Sequence, residues 1–156
     1  MLTLGELIRR HAQDGRIEAI LVRPGRLAEP SLVESAEIGE GGLNGDHARP
    51  GKRAVTLIQA EHLPVIAALA GRGEVRPEEV RRNLVVAGLN LGALRGARLR
   101  LGPTAEVEIT SPCAPCSRME TALGHGGYTA MRGHGGWCAR VLVPGDLTVG
   151  DRVTVK

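Results

Sequence analysis

The segment Ser111-Pro112-Cys113-Ala114-Pro115-Cys116-Ser117-Arg118 holds two of the three cysteines of this 156-residue chain. Ser117-Arg118-Met119-Glu120 has the pattern of a capping box, in which a Ser side chain caps the third helical amide and Glu returns to the Ser amide. That pattern predicts a helix starting just after Cys116. A thiol at a helix N-terminus beside Arg118 sees positive charge that favours the thiolate, the form needed for metal ligation and for persulfide chemistry. The competing reading is a small buried hydrophobe. Cys113 and Cys116 also form a Cys-x-x-Cys pair, and with His134 and Cys138 they spell Cys-x2-Cys-x17-His-x3-Cys, a spacing open to a tetrahedral structural zinc site. A thioredoxin-type redox dithiol is the other reading, although that motif belongs after a strand in an α/β unit.

Two further constellations could meet an anion. Gly39 to His47 contains four glycines, whose backbone amides approach an anion closely, and Lys52 and Arg53 follow with charge-assisted donors. A Gly-rich turn with Asp46 capping the next segment, and a structural His47, explains the same residues. Arg81-Arg82-Asn83 stands between an expected helix end and a strand. The helix dipole accounts for the arginines, whereas an amide entering an apolar strand must either close a turn or read a ligand edge.

The elements that must position these residues read mainly as β. Short β-branched runs at 17–22, 35–38, 54–58, 84–87, 98–101, 106–110, 139–143 and 152–155 are bounded by Gly, Pro or Asp and lack repeated βαβ alternation, which predicts a barrel or sandwich. Helical insertions are expected at 59–69 and 77–82, the latter with Pro first and acids following. Gly124-His125-Gly126-Gly127, repeated at Gly133-His134-Gly135-Gly136, predicts a flexible loop. One domain over 1–156 is expected, with residues 1–14 as a peripheral helix or tail.

Composition narrows the function. With no Phe, one Tyr and one Trp, the core must be aliphatic and base stacking has almost no material. The +3 charge is spread without a basic run, so neither nucleic acid nor a membrane surface is an expected partner. The apolar stretch around 63–70 contains Pro64 and is far shorter than the roughly 18 residues needed to span a bilayer. An odd number of cysteines and no signal-like N-terminus point to reduced thiols in the cytoplasm.

Together these segments resemble the MOSC family, the domain named for the C-terminal part of molybdenum cofactor sulfurases. The resemblance is carried by Gly42-Leu43-Asn44-Gly45-Asp46-His47 with Arg53-Ala54-Val55-Thr56-Leu57-Ile58, by Arg82-Asn83-Leu84-Val85-Val86, by the cysteine segment, and by the closing stretch from Ala139 to Val153. It implies a MOSC-type β-barrel with a few short helices and a cleft for molybdenum cofactor (molybdopterin), with Cys116 as molybdenum ligand or sulfur carrier. It further implies cofactor contacts from Arg81 and Asn83, with Asp46 and His47 in the matching loop; Lys52, Arg53 and Arg118 are expected to add cationic contacts. Cys113 departs from the family, which often has a basic residue there, and is a candidate resolving thiol for Cys116. No pyridoxal phosphate domain is recognisable, so sulfur carriage would need a cysteine desulfurase as donor and a molybdoenzyme as acceptor. Two alternatives stand beside it: a molybdenum-dependent reductase of N-hydroxylated bases or amidoximes, served by an electron-donor protein, and a non-catalytic interaction module held by zinc.

Overall fold

Short β-branched runs interrupted by Gly and Pro favour many short strands, and a sheet of such strands leaves no exposed edge only if it closes on itself. The computed structural model describes residues 1–156. In chain order the elements are α1 (Leu4–Leu7), β1 (Gly15–Val22), β2 (Ser31–Val33), β3 (Ser35–Gly39), β4 (Gly42–Leu43), β5 (Val55–Gln59), α2 (His62–Leu69), α3 (Pro77–Val80) and β6 (Leu84–Ala87). A 3-10 turn (Leu91–Ala93), β7 (Arg98–Leu101), β8 (Ala105–Pro112), α4 (Arg118–Leu123), α5 (Gly127–Met131), β9 (Trp137–Val143), β10 (Gly145–Thr148) and β11 (Arg152–Val155) complete the chain.

Seven strands close in the order β11, β7, β8, β9, β5, β6, β1, with β1 pairing back to β11; β2 extends from β1, and β10, β3 and β4 form a separate small sheet. Every barrel pairing is antiparallel except β5 with β6. A parallel pair needs a long crossover, and α2 and α3 supply it. The barrel interior is aliphatic, with Ile17, Ile20, Leu57, Leu84, Leu99 and Ile109 fully buried among others. A second apolar cluster outside the barrel wall joins Leu21, Ile58 and Val85 to Ile66, Val80, Met119, Leu123 and Met131 of the helices. The helices are thus fastened to one side of the wall, beside the cysteine segment.

Several expectations change in the structure. The strands β2, β4 and β10 were not legible; β4 has two residues and β2 is mostly exposed, so neither shows a hydrophobic pattern. The segment 77–82 is helical only to Val80, because Arg81 enters the left-handed region at φ 61° and turns Arg82 and Asn83 inward. The glycine-rich stretch holds helix α5, whose Ala130 and Met131 are buried. A Cβ at Gly127 would meet Leu123 Cβ and the Met119 carbonyl, so this glycine lets α5 lie against α4.

Gly136 has φ 93°, and a Cβ there would collide with the Leu57 carbonyl of the neighbouring strand. Gly136→Ala is therefore expected to destabilise by about 2 kcal/mol or more, read from the urea midpoint. Gly133→Ala, at φ 83° with open space around it, should cost only about 1 kcal/mol; equal losses would show that close approach is not the constraint.

Candidate functional site

The strands β1, β5 and β6 meet at one barrel rim, and Asn83, the residue before β6, is wholly buried there. Its Oδ1 accepts from the Thr56 amide (3.0 Å), the Thr56 hydroxyl (3.2 Å) and Arg23 Nη2 (3.3 Å). Its Nδ2 donates to the Leu21 carbonyl and to Asp46 Oδ1, both at 3.1 Å. Every polar atom of the side chain is thus engaged inside the protein. Asn83 has no polar atom left to offer a ligand; it organises the side chains around it.

Asp46 is held the same way. Its Oδ1 accepts from the Arg23 amide (2.7 Å) and Nε (3.1 Å), and its Oδ2 from Arg23 Nη2 (3.0 Å) and the Ala48 amide (3.1 Å). Burial alone would raise this carboxyl, but the donors from Arg23, its charge and the Ala48 amide outweigh burial and hold it below the usual carboxylate range. Arg23, which the sequence did not mark, also donates to the Arg81 carbonyl at 3.2 Å. His47 binds back to the Arg23 carbonyl through its amide (2.8 Å) and Nδ1 (2.9 Å), leaving its ring on the surface.

The glycine-rich segment is a β3–β4 hairpin whose outer depression is lined by Glu37 and Asp46 and by no cation, which unsuits it for an anion. Lys52 is exposed and lies in neither of the clefts described below. The remaining candidates divide between those two clefts. Arg81 and Arg118 share a cavity of about 480 Å³ with Arg76 and with three carboxylates, Glu29, Glu78 and Glu79; Cys116 is not in its lining. Arg53, His47 and Cys113 share one of about 350 Å³ with Arg23 and Cys138.

At the first cavity, Arg81 donates to the Ala28 carbonyl (2.6 Å) and the Arg26 carbonyl (3.1 Å), and Arg118 also donates to Arg26. Burial, then the neighbouring guanidinium groups of Arg118 and Arg23, lower Arg81 from its ordinary value, while Cys116 and Glu29 oppose this. Cys116 is exposed and precedes α4 as expected. The capping box does not form. Ser117 has helical dihedrals and caps nothing, and the Glu120 carboxylate instead accepts from the Gly126 amide (2.9 Å) and the Tyr128 amide (3.0 Å) at the turn into α5. Arginines, rather than a capped helix end, surround the cysteine segment.

Arg82 is the second residue whose importance the sequence concealed. It is 6% exposed and pairs with no carboxylate; its guanidinium donates to the carbonyls of Gly135 (2.7 Å), Val80 (3.1 Å) and Cys113 (3.3 Å). A buried cation met only by carbonyl dipoles leaves a positive field at the cysteine segment. Cys113 sits in that field. The neighbouring Cys138 thiol lowers Cys113 most, burial opposes, and the charges of Arg82, Arg23 and Arg53 add, bringing it to about 6. The same contact and burial push Cys138 up. Cys113 shares the lining of the second cleft with Cys138, whereas Cys116 lines neither cleft. No three His, Cys, Asp or Glu side chains converge on a metal position, and His134 lies edge-on to His62 at 5.4 Å, so the proposed zinc set is not assembled.

A family model described as the MOSC domain matches residues 34–154. The chain belongs to the MOSC family. Among solved structures, this MOSC chain is similar to the YuaD protein from Bacillus subtilis, with TM-score 0.78 and 18% identity over 90% of this chain and 94% of that one. It is similar also to YiiM from Geobacillus stearothermophilus (TM-score 0.76, 20% identity, 91% and 75% covered) and to YiiM from Escherichia coli (TM-score 0.70, 21% identity, 90% and 69% covered). A search of curated proteins finds no match. The MOSC-type barrel expected from the sequence is the fold observed, and no helix is long and apolar enough to cross a membrane.

Two expectations test this geometry. Asp46→Asn leaves Arg23 without its buried partner and should cost about 3 kcal/mol at neutral pH. Because the folded carboxyl is held low, its stabilisation is complete above the unfolded value of about 3.9 and is lost as pH falls through the folded value; the variant should therefore lose less on acidification, followed by thermal melts across pH. Alkylation of Cys113 by iodoacetamide, read by peptide mass, should rise through a midpoint near 6 and stay flat in mild alkali. At pH 6 its greater thiolate fraction outweighs its lower intrinsic nucleophilicity, giving a rate on the order of ten-fold above an ordinary thiol. A midpoint between 8 and 9, the range of an ordinary thiol, would refute the Cys138 and arginine effects.

Proposed function

We propose that this MOSC chain binds molybdenum cofactor at the cavity bordered by Arg81 and Arg118, and that Cys116 ligates molybdenum or carries sulfur there. The observation that carries the reading is the meeting of an exposed thiol with clustered guanidinium groups: Cys116 lies within electrostatic reach of Arg81, which Arg118 and Arg23 also crowd. Like charges held together lose energy that an anionic group relieves. A cofactor with phosphate and a sulfur- or thiolate-loving metal presents that pair of features.

Three guanidinium groups offset the three carboxylates of the cavity, and with the exposed Cys116 thiol outside its lining they form the donor set offered to the cofactor. A cavity of about 480 Å³ lies within the usual range for small-molecule sites of about 300–1,000 Å³. Arg81 and Arg118 would hold phosphate or pterin oxygens, Arg23 and Asn83 would keep the Arg81 backbone in place, and Cys116 would be the soft ligand. When bound, the cofactor supplies two-electron chemistry at molybdenum. His47 and Arg53 line the second cleft and belong to a different task in this reading.

For sulfur carriage, Cys116 must reach a partner, and its exposure suits that. The Cys116 thiolate attacks the terminal sulfur of a persulfide on a cysteine desulfurase; the donor S–S bond breaks, the donor thiolate leaves, and Cys116 holds the persulfide for a molybdoenzyme. Protein purified from a host that makes the cofactor should retain molybdenum by elemental analysis. Cys116→Ser should retain at least ~10-fold less, since even loss of an outer-shell partner costs about that much, and should take up no cyanolysable sulfur from a persulfide donor. Equal molybdenum and equal sulfur in both proteins would overturn the assignment. Reduction of N-hydroxylated bases by the loaded protein, without sulfur uptake, would favour the reductase reading.

A further inference from the structure

We propose that Cys113 and Cys138 form a second thiol site, separate from Cys116, in which Cys113 attacks a small hydroperoxide and Cys138 closes the product to a disulfide. The site lies in the cleft of about 350 Å³ on the far side of the Arg81–Asn83 segment, with both cysteines in its lining beside Arg23, Arg53, His47 and Thr56. Cys116 does not line it.

Backbone pairing sets the two side chains on the same face, at the rim of one cleft. Ser111 pairs with Cys138 and Pro112 with Trp137 along β8 and β9, and the Cys113 amide donates to the Gly136 carbonyl at 2.8 Å. Cys113 is therefore the diagonal neighbour of Cys138 on one face of the ladder, a relation that brings side chains within reach of each other. A register irregularity between Ile109 and Ser111 re-aims this end of β8. The two thiols act on each other: the Cys138 thiol holds Cys113 low, and Cys113 pushes Cys138 up.

Burial fixes the order of events. Cys138 is 3% exposed, whereas Cys113 is only half-buried and opens to the cleft. A reagent from solution meets Cys113 first, and Cys138 reacts only from within. Charge selects the step. Arg82, Arg23 and Arg53 all act on Cys113, and cations stabilise both the attacking thiolate and the oxide that leaves a hydroperoxide. A cleft this small, with its second thiol at the base, admits a hydroperoxide more readily than a bulky disulfide.

The atoms balance. The Cys113 thiolate attacks the terminal oxygen of the hydroperoxide, the O–O bond breaks, and the departing alkoxide takes a proton from water, leaving Cys113 as sulfenic acid. The Cys138 sulfur then attacks the Cys113 sulfur, the S–O bond breaks, and hydroxide leaves with the Cys138 proton as water. The two sulfurs are oxidised by two electrons in total and the peroxide is reduced to an alcohol and water, or to two waters from hydrogen peroxide. This is the first rung of the cysteine oxidation ladder followed by its resolution.

The test uses the full chain, fully reduced, exposed to stoichiometric hydrogen peroxide at neutral pH, quenched with iodoacetamide and mapped by peptide mass. The expected product has lost two hydrogen atoms, carries a Cys113–Cys138 link, keeps Cys116 alkylated, and returns to the starting mass with dithiothreitol. Cys138→Ser should instead accumulate a dimedone-reactive sulfenic acid at Cys113. If that variant fails to fold by circular dichroism, Cys113→Ser serves: it should form no link and leave Cys138 unoxidised. A Cys113–Cys116 link, oxidation of Cys116 ahead of the pair, or sulfinic acid at Cys113 without any link would each overturn the proposal. Because the readout contains no molybdenum or persulfide, its result is independent of the role assigned to Cys116.

Discussion

A single buried carboxamide ties together the barrel rim on which both clefts depend. Asn83 bonds to Leu21 at the end of β1, to Thr56 in β5, and to Asp46 and Arg23 in the connecting segments. Each of those partners would cost roughly 1–3 kcal/mol if left unsatisfied, so the network holds as a whole or not at all. No buried side-chain polar atom in the protein lacks a partner, and the rim is where that requirement is hardest to meet. Asp46 then fixes Arg23, and Arg23 fixes the Arg81 carbonyl, so that one amide indirectly positions a guanidinium in each cleft.

The tripeptide Arg81-Arg82-Asn83 divides three tasks among successive residues. Arg81 takes the left-handed conformation, a strain of about 1 kcal/mol or more for a residue with a Cβ, and sends its side chain to the first cavity. Arg82 turns into the interior and clamps the cysteine segment by its backbone carbonyls. Asn83 anchors β6. The turn at Arg81 lets the chain change direction ahead of the buried Arg82, whose charge adds to the larger effect of the Cys138 thiol in lowering Cys113.

Much of the barrel was legible because its strands carry either hydrophobic alternation, as in Arg98–Leu101, or an unbroken apolar run, as in Leu84–Ala87. The runs at 84–87, 98–101 and 152–155 coincide with β6, β7 and β11 to the residue. Elements escaped where the pattern was absent: β4 is too short to alternate, and α5 hides among glycines, of which Gly127, Gly135 and Gly136 serve close packing. The Ser117 capping box failed for a different reason. A box needs its Glu to be free, and Glu120 is claimed by amides at the start of α5, a competition no four-residue window contains. The same pattern does form unannounced at Thr3 and Glu6, where nothing competes.

By itself the sequence determined the class of fold, the aliphatic core and the family, because periodicity, composition and ordered motifs are local or additive properties of the chain. It also placed a thiol at Cys116 ahead of a helix. Only the tertiary structure decided which charges meet which groups. Arg23 and Asp46 are 23 residues apart, Arg82 and Cys113 are 31 apart, and a side chain's partner at that separation is set by barrel closure. The Cys-x-x-Cys spacing shows the same limit: it sets Cys113 beside Cys116 in sequence, whereas the pairing of Ser111 with Cys138 brings Cys113 and Cys138 into one cleft.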